Sequence, residues 1–258
     1  MEGEKMDERK EKQKKSRKKV YVLLAIAAVL VAAVVVFVGL WASGTLTNWI
    51  AKREAEKNYE TLMSSVSDVR DEKTLRQLLL LDEELEITVT RDIEIKTGFT
   101  VNGTKTLHGD STISANLSLF KIISIFKVSE NASLTMDGLI LDGNGIAMGI
   151  SVEQGGELTY RSGKIIYAGT YGISTGGLTD IEDVTISQSA VAAIDAAFGS
   201  KVYLRGGTLE DNRHIGIYVE ANAYMEMTGN PVIDGTGHNG IRNRGELVIH
   251  GGTFSNIG

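Results

Sequence analysis

The chain of 258 residues contains no cysteine and a single proline. Without cysteine it has neither disulfide bonds nor thiolate metal sites, so its stability must come from packing and backbone hydrogen bonds. Negative charge exceeds positive charge beyond the start of the chain: subtracting the +4 of residues 1–19 from the total of −6 leaves −10 on residues 43–258. Such a surface repels phosphate groups, which argues against a nucleic acid partner.

The longest uncharged stretch lies near the start of the chain. Residues 20–41 contain no charged residue and no proline, and as a helix they are about 33 Å long, enough to cross a bilayer. Residues 1–19 hold nine Lys and Arg against five Asp and Glu, and a positive flank stays on the cytoplasmic side. We predict a cytoplasmic basic tail at 1–19 and a single plasma-membrane span at 20–42, with everything after it outside the cell.

A cleaved signal peptide is the competing interpretation, because Trp41-Ala42-Ser43-Gly44 offers small residues to a peptidase. Two features favour an uncleaved signal-anchor instead. The uncharged run exceeds the roughly 7–15 apolar residues of a typical signal peptide. Trp41 is also bulky for a cleavage window, and tryptophan suits the membrane interface.

Two helical segments are predicted after the span. Residues 43–66 are rich in Ala, Glu and Lys, which indicates a helical stalk. Within residues 67–84, Asp68 or Asp71 can cap a helix that carries Leu75, Leu78 and Leu79 at helical spacing. That leucine face needs an apolar surface to cover, so we expect a capping helix.

From residue 85 the hydrophobic period changes to two, in short strands separated by Gly, Asn and Asp. Two registers then repeat at a mean of about 23 residues. Glycine-rich or polar pairs begin at residues 137, 162, 182, 206, 229 and 251, and they lead to Ile140, Ile165, Thr185, Leu209, Val232 and Phe254. A Gly-Ile or Ala-Ile pair begins at residues 149, 172, 193, 216 and 240.

A repeat of this length cannot bury its own apolar side chains and must stack on copies of itself. It is longer than the coil of about 18 residues built from three hexapeptides, and the leucine consensus of leucine-rich repeats is absent. The sequence therefore predicts an all-β fold, a right-handed parallel β-helix over residues 85–258 with an N-terminal capping helix, preceded by the transmembrane helix.

Several segments resemble the pectate-lyase-like parallel β-helices, particularly the repetitive surface proteins of bacteria. They are DEKTLRQLLLLDEELEITVTRDIEI, VNGTKTLHG, VYLRGGTLEDNRHIGIYVE and LVIHGGTFSNIG, and the resemblance covers residues 69–258. It implies a β-helix whose N-terminal end is closed by an amphipathic helix. It also implies a possible activity on polysaccharides, because pectate lyases and polygalacturonases are similar in fold.

The catalytic patterns of those enzymes are incomplete here. Gly237-His238-Asn239 and Arg242-Asn243-Arg244 depart from the Gly-His-Gly and Arg-Ile-Lys of polygalacturonases, and no Asp-Asp pair occurs. We therefore expect a non-catalytic module of the cell surface that binds a glycan, the cell wall or another protein. A lyase or hydrolase acting on an acidic polysaccharide is the alternative, and a spacer without a ligand is a third possibility.

The Gly-Ile strands provide a candidate ligand face. Residues that follow the inward Ile should point outward and stack from coil to coil. This face comprises Asp195, Tyr218, Glu220, Arg242 and Arg244. Carboxylate, aromatic ring and guanidinium on neighbouring coils can bind a sugar by hydrogen bonds and stacking. A solvated sheet face with ion pairs such as Glu220 with Arg244 is the alternative.

A turn position carries candidate metal ligands. Asp211 and Asp234 are predicted to stack about 4.8 Å apart, where they would repel unless Ca²⁺ bound between them. The default explanation is a turn ladder, since Asp and Asn suit turn conformations. No other cofactor is expected.

The sequence printed here reaches Gly258 before the Gly-Ile strand of its last repeat. An unfinished coil exposes unpaired strand edges and apolar side chains, and solenoids normally need a cap. We expect either a continuation in a longer chain or end-to-end self-association, with local folding back of the last coil as the alternative.

Overall fold

The computed structural model describes residues 45–116 and 124–258. The predicted tail at 1–19 and the predicted span at 20–42 lie outside these residues. Within the described part, no helix combines the length and apolar character needed to cross a membrane. Residues 48–258 form one compact unit, and the fold belongs to that unit.

Three helices precede the strands in the described residues: α1 (Thr45–Lys57), α2 (Tyr59–Met63) and α3 (Glu72–Leu80). Helix α3 begins where the Asp71 carboxylate accepts a hydrogen bond from the Thr74 main-chain nitrogen at 2.9 Å, which satisfies one of the free donors of the first turn. Leu75, Leu78 and Leu79 on its inner face are fully buried in the core of the coils. The helix therefore closes the N-terminal end of that core.

The segment expected to be a stalk is helical, and it packs on the capped end of the β-helix. Ala55 and Leu62 are buried in the same core as the α3 leucines. Glu54 accepts a hydrogen bond from Gln77 at 3.0 Å and pairs with Lys73 at 2.8 Å. A contact face made of small alanines leaves only a weak hydrophobic pattern, so the sequence did not indicate this contact.

The described residues contain 20 strands, which form two parallel sheets. In chain order they are β1 (Leu85–Thr88), β2 (Ile93–Ile95), β3 (Phe99–Val101), β4 (Thr104–His108), β5 (Thr112–Ala115), β6 (Ser124–Val128), β7 (Ser133–Asp142), β8 (Met148–Val152), β9 (Glu157–Ile166), β10 (Tyr171–Thr175), β11 (Leu178–Ser187), β12 (Ala192–Ala196), β13 (Lys201–Leu204), β14 (Thr208–Glu210), β15 (Ile215–Val219), β16 (Tyr224–Met227), β17 (Val232–Asp234), β18 (Asn239–Asn243), β19 (Glu246–Ile249) and β20 (Thr253–Ser255).

Each strand pairs with its equivalent in the next coil. One sheet has 13 strands, with the path β1-β4-β7-β9-β11-β13-β16-β19 and a second row of β2, β5, β14, β17 and β20 beyond a bend. The other has seven, in the order β18-β15-β12-β10-β8-β6-β3. Paired residues are 20 to 29 positions apart, as in Leu85 with Lys105 and Lys105 with Leu134. The predicted right-handed parallel β-helix is confirmed, with about seven coils.

The Gly-Ile register predicted from the sequence is confirmed by the strand pairing of the seven-stranded sheet. The residue before the isoleucine has little room for a side chain: a Cβ at Gly172 would lie 2.4 Å from Cγ2 of Ile186. Both residues of the pair therefore face the core at this corner. The isoleucines that pair in turn are Ile150, Ile173, Ile194, Ile217 and Ile241.

The register based on glycine-rich pairs is wrong by one residue in three coils. Ile140, Thr185 and Val232 are half-buried, and the residues that follow them, Leu141, Ile186 and Ile233, are fully buried. The strand bends here with irregular pairing between Met136 and Ile140, so the distance from the glycine to the strand varies. A slip of one residue reverses the face of every side chain.

Apolar side chains in the last coil of the sequence printed here are more exposed than those in the coil before it. Ile249 and Phe254 are 46% and 44% exposed, whereas Ile233 is fully buried. Continuation in a longer chain and end-to-end self-association stay predictions.

Candidate functional site

The candidate ligand face lies on the outer side of the seven-stranded sheet. Parallel pairing of β10, β12, β15 and β18 places Ser174, Asp195, Tyr218 and Arg242 in one row. Toward the N-terminal end the row continues through Ser151 to Lys127. The geometry thus brings together residues that are 21 to 24 positions apart in the sequence.

Tyr218 is the centre of the exposed part of this face. The Cζ of Arg242 lies 5.3 Å from its ring centroid, and the Cζ of Arg244 lies 5.9 Å from it. Both arginines are exposed and the ring is half-buried. Because guanidinium groups are attracted to the face of an aromatic ring, the three side chains hold one another in place and present two cations beside one ring.

Asp195 lies beneath the surface of the face. It is 5% exposed, its Oδ2 accepts a hydrogen bond from the Ser174 hydroxyl at 2.8 Å, and its Oδ1 is buried without a partner. Burial raises the pKa of this carboxyl, the Ser174 bond acts against that shift, and the charge of Glu220 reinforces it. Asp195 therefore contributes little exposed surface to this face.

Glu220 forms a main-chain contact. Its Oε2 accepts a hydrogen bond from the Phe198 nitrogen at 3.2 Å, and the Phe198 ring is 63% exposed. Among the described residues, Glu220 makes no ion pair with Arg244; the cross-coil ion pair on this side of the sheet joins Lys127 and Glu153 at 2.6 Å. The two arginines of the face are thus free of carboxylate partners within the described part of the chain.

Tyr171 belongs to the same face, although the sequence did not indicate it. Burial raises the pKa of its phenol, and the charges of Asp195 and Glu220 add to that effect. Simple alternation puts Tyr171 on the same side as Ile173. The alternation fails because Gly172 also faces the core, so Tyr171 turns outward.

The two candidate metal ligands are not equivalent positions. Asp234 pairs with Glu210, and the main-chain nitrogen of Asp211 donates to the main-chain oxygen of Asp234 at 3.0 Å. The position stacked on Asp211 is occupied by Gly235. The stacking assumed for a Ca²⁺ site is therefore absent, and the cause is the same one-residue slip at the bend.

Asp234 has other partners. Its Oδ1 accepts hydrogen bonds from the side chains of Ser255 at 2.9 Å and Asn256 at 2.7 Å, and these bonds hold the pKa of its carboxyl below the usual value. In the described ranges, no group of three or more His, Cys, Asp or Glu side chains is placed to hold a metal ion.

The 13-stranded sheet carries a second aromatic cluster on its outer side. Tyr203 and Tyr224 meet edge to face at 6.1 Å between ring centroids. Arg205 lies 5.3 Å from the Tyr203 centroid and donates to both carboxylate oxygens of Asp180, at 2.7 and 2.9 Å. This arginine is paired, which distinguishes it from Arg242 and Arg244.

Residues 148–258 match the family model described as a right handed beta helix region. This part of the chain is a right-handed parallel β-helix. Together with the solenoid, the match confirms the resemblance to pectate-lyase-like β-helices at the level of the fold. No curated protein and no solved structure matches the chain.

Proposed function

We propose that this protein is a membrane-anchored module of the cell surface whose β-helix binds an acidic glycan through Tyr218, Arg242 and Arg244. The observation that carries the proposal is the position beside one aromatic ring of two exposed guanidinium groups that have no carboxylate partner among the described residues. The ring can stack on the apolar face of a sugar. A guanidinium binds a carboxylate with two parallel hydrogen bonds.

The charge of the surrounding surface supports a local site of this kind. Residues 43–258 carry a net charge of −10, so most of the surface repels an acidic polymer. The two arginines, which have no carboxylate partner in the described part of the chain, then form a locally attractive position, which favours binding in one register. The β-helix contributes rigidity, because neighbouring coils are fixed about 4.8 Å apart by their strand pairing.

The anchor is supported by the uncharged run at residues 20–41 and by the basic residues before it. Because the chain has no cysteine, single cysteines report topology directly. We expect a membrane-impermeant maleimide to label an Ala221→Cys variant in intact cells and to label Gly3→Cys only after the cells are lysed. Labelling of both variants in intact cells, or of neither, contradicts the proposed orientation.

The binding proposal is tested with the full chain in lipid nanodiscs and with hexagalacturonate, a linear acidic hexasaccharide, as the probe. Tyr218→Ala and Arg242→Ala should each weaken binding by at least about 1 kcal/mol, as for other aromatic and arginine hot spots. Arg205→Ala, on the other sheet, should leave the affinity unchanged. Equal affinity in wild type and in both face variants, or no binding of hexagalacturonate, rules out this face as an acidic-glycan site.

A polysaccharide lyase or hydrolase is a second candidate, favoured by one observation. Asp195 has a buried, unpaired carboxylate oxygen and a raised pKa, as general acids in polysaccharide-cleaving enzymes often do. Polygalacturonate incubated with the full chain, with and without Ca²⁺, would then yield new reducing ends or unsaturated products. An Asp195→Asn variant would yield none. Absence of products from the wild-type chain excludes this candidate for that substrate.

A further inference from the structure

Helix α1 has two sides of opposite character. Ala51 and Ala55, four positions apart, are buried. On the other side, Trp49 and Ile50 are 58% and 45% exposed. Arg53 is also exposed, and its spacing of three and four positions from them places it on the same side of the helix. Large apolar side chains are thus turned to solvent on a helix that already has a buried side.

The exposed side of α1 is basic as well as apolar. The Cζ of Arg53 lies 5.2 Å from the centroid of the Trp49 ring, a distance at which guanidinium and ring attract each other. Lys57 is exposed four positions further along. In contrast to Lys52, which pairs with Asp82 at 2.8 Å, neither of these cations has a carboxylate partner among the described residues. We call this set the Trp49 face: Trp49, Ile50, Arg53 and Lys57.

The carboxylates of α1 do not cancel the charge of the Trp49 face. Glu54 is turned away to Lys73, with which it pairs at 2.8 Å. Glu56 is exposed, which leaves one carboxylate against two cations on the solvent side of the helix. Because residues 43–258 carry a net charge of −10, this basic and apolar face is a local exception. It suits a partner that presents anionic groups beside apolar surface.

The position of the face along the chain indicates that partner. The proposed membrane span ends at residue 42, seven residues before Trp49. Seven residues cover about 10 Å as a helix and at most about 25 Å when extended. The headgroup layer on each side of the hydrocarbon core is roughly 5–8 Å thick. Trp49 and Ile50 therefore stay close to the lipid headgroups.

We infer that the Trp49 face lies in the headgroup layer of the membrane and binds phospholipid there, an inference that rests on the proposed anchor. The indole and the Ile50 side chain enter the boundary between headgroups and acyl chains, where tryptophan is enriched. Arg53 and Lys57 bind the lipid phosphates, since long basic side chains keep their charge in water while their stems cover apolar surface. Because Ala55 lies in the same core as the α3 leucines, this contact also holds the capped end of the β-helix at the membrane.

The two tryptophans of the chain separate this inference from the anchor itself. Trp41→Phe leaves Trp49 as the only tryptophan, and Trp49→Phe leaves Trp41, which belongs to the predicted span. Each full-length variant is placed in nanodiscs of phosphatidylcholine and phosphatidylglycerol whose acyl chains are brominated near the headgroup. Bromine quenches indole fluorescence only at short range. Both tryptophans should therefore be quenched relative to nanodiscs of unbrominated lipid.

Substitutions on the face test which residues make the contact. In the Trp41→Phe chain, Ile50→Glu places a carboxylate in the apolar part of the face and should reduce the quenching of Trp49 at least two-fold. Thr61→Glu adds the same charge at an exposed position of α2, and it should leave the quenching unchanged. Arg53→Gln removes a phosphate-binding group and should also reduce the quenching. If Ile50→Glu fails to fold, as judged by its melting temperature, Arg53→Gln decides the question.

A reporter far from α1 shows whether the contact is local. Phe198→Trp, in a chain whose two natural tryptophans are changed to phenylalanine, lies after β12, four coils beyond β3 in the seven-stranded sheet. That separation is roughly 19 Å along the axis, so this reporter should not be quenched. Equal quenching of the Phe198→Trp reporter and of Trp49 would place the membrane contact along the coils and contradict the inference.

The remaining outcomes distinguish the face from the anchor. Quenching of Trp41 without quenching of Trp49 overturns the inference and leaves the anchor standing. An unquenched Trp41 rejects the proposed span, and the inference with it. If the emission of Trp49 shifts to shorter wavelength but is not quenched by brominated lipid, a second copy of the chain covers the face instead, and the inference is wrong.

Discussion

The hydroxyl of Tyr160 donates a hydrogen bond across the interior of the β-helix to the main-chain oxygen of Leu139, one coil earlier, at 2.7 Å. Leu139 lies in the bend of β7, where the pairing between coils is interrupted. The main-chain oxygen of Lys164 is 3.1 Å from the same hydroxyl. The phenol is fully buried, and these contacts keep its hydroxyl hydrogen-bonded inside the core, as buried polar groups require.

Tyr160→Phe should lower the free energy of unfolding by about 0.5–1.5 kcal/mol, because the hydrogen bond from the buried hydroxyl to the Leu139 oxygen is lost. Tyr203→Phe removes a hydroxyl from a half-buried ring and is the control, with an expected change of less than about 0.5 kcal/mol. Denaturant unfolding followed by circular dichroism measures both. Equal effects of the two substitutions would show that the buried hydroxyl contributes nothing specific.

Lys105 ties the capping helix to the first coils. It is fully buried, and its ammonium donates to the main-chain oxygens of Leu81 at 3.0 Å, Glu83 at 2.5 Å and Asn102 at 2.7 Å. Lys105→Met keeps most of the volume and leaves three carbonyls without that donor, so we expect a loss of about 2–4 kcal/mol.

The exposed Lys201, substituted in the same way to methionine, serves as the control for Lys105→Met. Hydrogen exchange locates the effect: amides of α3 and β1 should lose protection in Lys105→Met before those of β15. Uniform loss along the chain would contradict a local role for Lys105 at the cap.

Asp195 should make stability depend on pH. Its pKa is raised above the ordinary 3.8 by burial, so the folded state holds this proton to higher pH than the unfolded chain does. The stabilisation it gives is complete below pH 3.8 and is lost as the pH rises through the folded-state pKa.

Asp195→Asn removes the charge and should therefore stabilise the fold at pH 7 by about 1 kcal/mol, because a neutral amide costs less to bury than a carboxylate. The advantage should vanish in acid, where the wild-type carboxyl is protonated. Glu182→Gln, at an exposed carboxylate, should show no such change between the two pH values. The melting temperatures of both variants in acid and at pH 7 test this prediction. An equal effect of Asp195→Asn under the two conditions would contradict a raised pKa of the Asp195 carboxyl.

The glycine of the Gly-Ile pair tests how tightly the two sheets meet. A Cβ at Gly172 would lie 2.4 Å from Ile186 and 2.7 Å from the Ala193 oxygen, so Gly172→Ala should cost about 1–3 kcal/mol through overpacking. Gly176→Ala is the matched control in the same coil, because its nearest neighbour would be an ordinary 3.5 Å away. Similar melting temperatures for the two variants would argue against close packing at the corner.

The same packing explains what the sequence could predict. The Gly-Ile register was correct because the side chain of Ile186 leaves almost no room for a Cβ at the glycine position. The glycine therefore recurs directly before the inward isoleucine. At the bend before Ile140 the spacing between the glycine-rich pair and the inward residue of the strand varies. The alignment therefore placed Ile140, Thr185 and Val232 one residue before the inward position. The assumed stacking of Asp211 and Asp234 failed for that reason.

Burial on the ligand face was harder to predict. The row that contains Asp195, Tyr218 and Arg242 follows directly from the correct register, but no sequence pattern indicates that Asp195 lies beneath the surface. Ser174 and Tyr218 flank Asp195 in the row, and Tyr171 turns outward through a local break in alternation. Contacts of this kind depend on the exact corner geometry, which a repeat pattern does not encode.

The capping helix has a consequence for how the protein is made. Helix α3, with its leucine face, leaves the ribosome before any strand does. Each later coil then pairs with the coil before it, whose residues lie 20 to 29 positions upstream. Short separations between contacting residues favour rapid folding. The β-helix can therefore grow by addition at one end during synthesis, with the cap as the seed and each finished coil as the template for the next.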